Sequence, residues 1–149
     1  MIRVQQEDFD LGRELAALAT GNHHIGGLCS FVGLVRDMAG GEEIGAMTLE
    51  HYPGMTEKML EKIEAEAKER WPLEASLIIH RYGRLEPGDQ IVLVATASPH
   101  REAAFEACHF LIDWLKTQAP FWKLEEKDSG AEWVEARESD DKAAEKWKA

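Results

Sequence analysis

The residues best suited to chemistry lie between Ser98 and Lys127, in SPHREAAFEACHFLIDWLKTQAPFWKLEEK. Ser98 reads as a helix N-cap and Pro99 as the first helical residue, where its missing donor costs nothing. His100 and Arg101 follow in the first turn. Basic side chains are disfavoured at that positive end of the helix dipole, so two of them point to an anionic ligand. Lys116 comes near the helix's other end, and Ala119-Pro120-Phe121-Trp122 can turn the chain back to bring Lys123 beside it. Two close ammonium groups depress each other's pKa, and partial burial adds to the effect. Such a lysine suits general acid–base work near neutral pH, or serves as fixed charge for a developing anion. The competing reading of Lys116 is a side chain snorkelling at the margin of an apolar face. A helix of about twenty residues is ~30 Å long, so the His100-Arg101 end and the lysine end cannot meet within one copy. A pocket using both needs a second subunit.

Other chemistries lack their parts. His23, His24, His51, His80, His100 and His109 show no H-E-x-x-H or comparable metal spacing. Neither a metal site nor a bound cofactor is expected. Cys29 and Cys108 stand far apart in the sequence, within apolar patterns, and read as buried structural thiols. There is no G-x-S-x-G elbow, Walker loop or G-x-G-x-x-G after a strand, the usual parts of a hydrolase, a kinase or a dinucleotide enzyme. With 17 basic against 28 acidic side chains and a formal net charge of −11, a broad nucleic-acid surface is excluded. An anionic ligand must be held by a local basic cluster. Neither a signal peptide nor an apolar run of membrane-spanning length is present, and the chain reads as cytoplasmic.

The elements that must position these groups form one α+β domain over residues 1–137, with a charged tail at 138–149 read as helical or frayed. Ile2 to Gln5 alternates as a strand, and Leu11, Leu15 and Leu18 mark one face of a helix behind an Asp10 cap. Gly26 to Val35 reads as a buried strand whose glycines mark a bulge or close backbone approach. Met38 to Gly45 reads as a mobile loop, and Ala46 to Tyr52 as the next strand. Met55, Met59, Ile63 and Ala67 form the apolar stripe of a helix ending near Trp71, with Glu64–Lys68 and Glu66–Arg70 on solvated faces. Ala75 to Tyr82 and Gln90 to Ala97 are strands joined by the Leu85–Asp89 turn, and should pair antiparallel. Along the long helix, Ala104, Phe105, Cys108, Leu111, Ile112 and Leu115 form one apolar face. Phe110 and Trp114 form a second, expected to meet another layer or subunit. Pro120 to Lys127 and Glu132 to Ala136 could pair as strands, and an extended segment puts Phe121, Lys123, Glu125 and Lys127 on one face.

Several segments together resemble the catalytic large subunit of molybdopterin synthase: FVGLVRD from Phe31, LEHYPGM from Leu49, HRYGRLEPGD from His80, SPHREAAF from Ser98, DWLK from Asp113 and APFWKLE from Ala119. The resemblance spans Gly26 to Arg137 and implies an α/β hammerhead-type sheet with packed helices and a small additional β subdomain. It implies sulfur transfer to cyclic pyranopterin monophosphate, forming the dithiolene of molybdopterin. The donor would be a small ubiquitin-like carrier subunit ending in a Gly-Gly thiocarboxylate. The family's large subunit dimerises within a heterotetramer, and the Phe110–Trp114 face would suit one of those contacts. Residue by residue, the family pattern implies catalytic roles for Lys116 and Lys123. It implies substrate binding by Arg36, His100, Arg101 and Arg137. The alternative is a non-catalytic module that binds a carrier tail or a phosphorylated ligand.

Overall fold

The run Gln90–Ser98, QIVLVATAS, is apolar at nearly every position, as a strand covered on both faces must be. It forms β7 of a chain whose preceding elements are β1 (Ile2–Gln5), α1 (Leu11–Ala19), β2 (Gly27–Leu34), β3 (Met38–Ala39), β4 (Glu42–His51), α2 (Met55–Arg70), β5 (Ala75–Arg81) and β6 (Gly83–Leu85). The helix α3 (Arg101–Gln118) follows, then β8 (Phe121–Lys127) and β9 (Gly130–Val134). The computed structural model of the protein describes residues 1–39, 41–127, 130–134, 142 and 144–148.

A four-stranded sheet has the order β1-β5-β7-β2, parallel between β1 and β5 and antiparallel elsewhere. Leu77, Ile79, Leu93 and Ala95 point to one face, where Phe9 and the α1 leucines cover them. Ile78, Val92 and Val94 point to the other, against Leu60, Ile63 and Ala67 of α2 and Cys108, Leu111 and Leu115 of α3. The second sheet is five-stranded, with the order β3-β4-β8-β9 and β6 added alongside β4. The chain passes directly from β5 through Tyr82 into β6, so one strand hands over to the other sheet. Gly83, at φ 93°, makes that corner. The α+β expectation, with a second sheet added to the first, holds.

Several local expectations need correction. The long helix begins at Arg101 with His100 as its cap residue. Ser98 ends β7 and donates its hydroxyl to the His100 carbonyl, so it caps no amide. Met38 to Gly45 includes strand rather than being loop throughout, since Met38 and Ala39 pair with Glu43 and Glu42 in a hairpin. In α2 the buried stripe is Thr56, Leu60, Ile63, Glu64 and Ala67, and Met55 is exposed. Glu64 is not on a solvated face: it accepts from the Ser76 hydroxyl at 2.6 Å and from the Met1 ammonium at 2.5 Å. The second face of α3 is covered within the chain. Phe110 is fully buried, with Trp71 and Trp147 edge-on at 5.3 and 5.6 Å, so it cannot serve a subunit contact. Phe105, expected inside, is 63% exposed. The two cysteines, remote in sequence, meet where α3 packs on β2; burial and the neighbouring Cys29 thiol push the Cys108 thiol pKa up.

The glycine expectation on β2 holds twice. The ladder to β7 is irregular between Gly33 and Leu34. A Cβ on Gly26 would lie 2.1 Å from the Pro99 carbonyl oxygen, a clash with backbone rather than with a movable side chain. Gly26→Ala should therefore cost about 2 kcal/mol or more in a urea unfolding series. Gly12→Ala, whose new methyl meets only ordinary contact in α1, should be neutral or slightly stabilising. Equal midpoints for the two variants would contradict the close approach.

Candidate active site

Lys116 sits in the last turn of α3. The helix closes with the Ala119 amide on the Leu115 carbonyl at 3.3 Å, and the Phe121 amide then reaches the Ala119 carbonyl at 2.9 Å. Pro120 lies inside this turn, whose carbonyl accepts from the Thr56 hydroxyl of α2 at 3.4 Å. The same Thr56 oxygen accepts from the Tyr52 amide at 3.0 Å, tying the end of β4 to the start of β8. The chain therefore reverses tightly, and β8 runs back between β4 and β9 with Lys123 opposite Leu49 and Val134.

The element that fixes this corner is His80. In β5 it shares the parity of Ser76 and Ile78, so its ring points to the α2–α3 side of the four-stranded sheet. There the Phe121 ring stacks on it at 3.7 Å between centroids and 15° between planes. His51, opposite Phe121 in the β4–β8 ladder, lies 6.3 Å from the same ring and 4.4 Å from Tyr82. Its Nδ1 is buried without a hydrogen-bond partner, with a Glu57 carboxylate oxygen at 3.8 Å. Burial first, then the positive fields of Lys116, Lys123 and His51, holds the His80 pKa down to about 3; the bond to the Arg81 carbonyl opposes this.

Both lysines thus act on one buried ring, and the corner brings together residues that stand seven apart in the sequence. Lys123 is half-buried and Lys116 exposed, so the cationic corner opens to solvent on the helix side. Further along the same face of β8, Lys127 stands 3.9 Å from the buried Glu125. The other predicted residues lie elsewhere. His100 and Arg101 are exposed at the start of α3, about 27 Å from its end, in an open hollow shared with Glu102, Phe105 and Glu106. Arg36 is exposed just beyond β2. Arg137 lies outside the described residues. Among the described residues no group of three or more His, Cys, Asp or Glu side chains could hold a metal ion. The sequence places Phe121 on one face with Lys123, whereas His80 and His51 escape it as parts of the site. Alternation in ASLIIHRY, which puts His80 in line with Ile78, was the available signal.

The class defined here is an α+β protein whose two sheets meet at a corner carrying Lys116 and Lys123. The family profile described as MoaE protein matches residues 4–118. The molybdopterin synthase catalytic subunit of Pseudomonas aeruginosa is 60% identical over 146 residues, covering 98% of this chain and 97% of that protein. Its Escherichia coli counterpart is 51% identical over 98% of this chain and 97% of its own. The solved MoaE protein of Burkholderia ambifaria superposes with a TM-score of 0.86 at 55% identity, covering 100% of this chain and 98% of that one. The chain belongs to the MoaE family, the catalytic subunits of molybdopterin synthase, and is a sulfurtransferase of molybdenum cofactor biosynthesis.

The buried ring sets a pH signature. An unfolded His80 takes up a proton below its ordinary pKa of 6.5, whereas the folded one stays neutral down to about 3. The unfolded state therefore binds more protons in that window, and stability falls as pH drops through it. His80→Phe lacks this term. The stability difference between wild type and variant should move against wild type by about 1 kcal/mol per unit below about pH 6. A difference that stays constant from pH 8 to pH 4 in chemical unfolding would contradict the buried neutral imidazole.

Proposed function

We propose that Lys116 and Lys123 are the reacting pair in sulfur transfer from a thiocarboxylated carrier subunit to cyclic pyranopterin monophosphate. The observation that carries this is their convergence on one buried ring at a solvent-open corner. The carrier is a small ubiquitin-like protein whose Gly-Gly tail enters the corner. Its thiocarboxylate sulfur attacks a side-chain carbon of the substrate as the C–O bond from that carbon to the cyclic phosphate breaks, forming a thioester between substrate sulfur and carrier and leaving the phosphate as a monoester on the substrate. Water then cleaves that thioester, leaving the sulfur on the substrate and a carboxylate on the carrier. Each step develops negative charge where ammonium groups are held, which favours the transition state over the ground state. Lys116 assists proton transfer and charge stabilisation as the cyclic phosphate opens, and Lys123 orients substrate and tail. The reaction takes place in the cytoplasm, and no helix among the described residues is long and apolar enough to cross a membrane.

Arg36, His100, Arg101 and Arg137 bind the substrate phosphate and pterin in this reading. The ~27 Å length of α3 separates His100 and Arg101 from the lysines of their own chain, so a second copy supplies them. The working unit is a homodimer within a heterotetramer that holds two carriers. Exposed Leu28, Phe31 and Leu34 along the edge strand β2, with Phe105 of α3 in the hollow of His100 and Arg101, provide apolar surface that suits such a contact.

Lys116→Ala should lower single-turnover product formation by about 100-fold or more while leaving carrier affinity nearly unchanged. An unchanged rate would remove Lys116 from the chemistry. Lys116→Ala and Arg101→Ala chains, each inactive alone, should recover part of the activity when unfolded together and reassembled, because a mixed dimer carries one complete site. Absence of recovery in confirmed mixed dimers would show that both residues serve the same copy.

A further inference from the structure

His80 is held by more constraints than filling the space would require. Its Nδ1 lies 2.8 Å from the Arg81 carbonyl oxygen, and a carbonyl only accepts, so Nδ1 carries the proton. The neutral ring must then present Nε2, on its other side, as a bare lone pair. A buried Phe or Leu would fill the same volume without the cost of desolvating an imidazole. Phe121, stacked on this ring, begins β8 and stands two residues before Lys123 on the same strand face.

We propose that His80 is a positioning residue for the Lys116–Lys123 pair: a buried imidazole with its proton on Nδ1 that offers its Nε2 lone pair to the lysine ammonium groups and, through Phe121, fixes where Lys123 stands. The inference rests on the reading of those lysines as the reacting pair. Its advantage over a carboxylate is that it accepts a hydrogen bond without neutralising the cationic corner. Its advantage over an ordinary histidine is that it never adds a competing positive charge. The groups that face it are Lys116 from α3, Lys123 from β8 and His51 from β4, with Glu57 of α2 beyond His51 and Arg81 adjoining along β5. Removing the acceptor disfavours the ammonium form, so the pH at which the pair loses its charge must fall.

The test uses the full chain assembled with its thiocarboxylated carrier. His80→Phe keeps a ring on Phe121 and removes the lone pair, whereas His80→Gln places an amide oxygen near the Nε2 position. Single-turnover rate in His80→Phe should fall about tenfold, with the descending limb of its pH–rate profile displaced by about one unit to lower pH. His80→Gln should recover most of the rate and return the limb. In unsubstituted protein, nitrogen-15 imidazole spectra should show His80 Nε2 unprotonated from pH 5 to pH 9, and its resonance should move in Lys116→Ala or Lys123→Ala. A wild-type pH profile in His80→Phe, alongside an inactive Lys116→Ala, would overturn the positioning role and leave the lysine reading intact. A fully active Lys116→Ala would instead remove the reading beneath it. A His80 ring that titrates between pH 5 and pH 9 would also overturn the proposal, whether or not the variants fold.

Discussion

Everything about the lysine corner depends on one ring stack between two sheets. His80 belongs to the four-stranded sheet and Phe121 to the five-stranded one, and their 3.7 Å separation is the point where a helix end becomes a strand start. Around it, the Thr56 hydroxyl links the Tyr52 amide to the Pro120 carbonyl, and the β4–β8 ladder brings His51 opposite Phe121. Backbone hydrogen bonds alone would leave the angle between the sheets loosely set. A stacked aromatic pair in a desolvated setting sets both distance and tilt.

The same corner explains how an acidic protein sustains a cationic site. The chain carries a formal net charge of −11, so long-range fields favour repelling anions. Local geometry reverses this over a few ångströms. Two lysines act on one corner where the buried His80 and the half-buried Phe121 contribute no negative charge, and the buried carboxylate on that strand, Glu125, stands near Lys127. In the proposed reaction such a patch would meet an anionic substrate and an anionic donor, small enough to be selective and open enough to admit a tail.

Periodicity made the frame legible. Strand alternation and Pro-Gly punctuation placed β1, β5, β7 and α2 almost to their observed ends, because those segments have one dominant pattern. The Ser98-Pro99 helix start misled because Ser98 was already committed to the β7 ladder opposite Gly27. Phe110 and Phe105 exchanged expected roles for a similar reason: both sides of α3 are apolar, and the chain's own Trp71 and Trp147 decide which is covered. Glu64 looked solvated because its partners, Ser76 and the amino terminus, lie remote in sequence. At the site, the proximity of Lys116 and Lys123 could be anticipated from the intervening turn. The burial of His80 beside them was signalled only by its alternation with Ile78, since no motif distinguishes a neutral core imidazole from a surface one.

The inner strand β7 of the four-stranded sheet has a further consequence, for the chain before it folds. Gln90–Ser98 contains no charged residue or proline and is rich in β-branched side chains, and every backbone group it offers is meant for β5 and β2. Unpaired, such a segment is a template for self-association. The sequence brackets it with Pro87 and Asp89 on one side and Pro99 and Arg101 on the other, breakers and charges that hinder stacking beyond the strand's own length. Concentrated refolding thus becomes a race between pairing with β5, a few residues upstream, and pairing with another molecule's copy of the same strand.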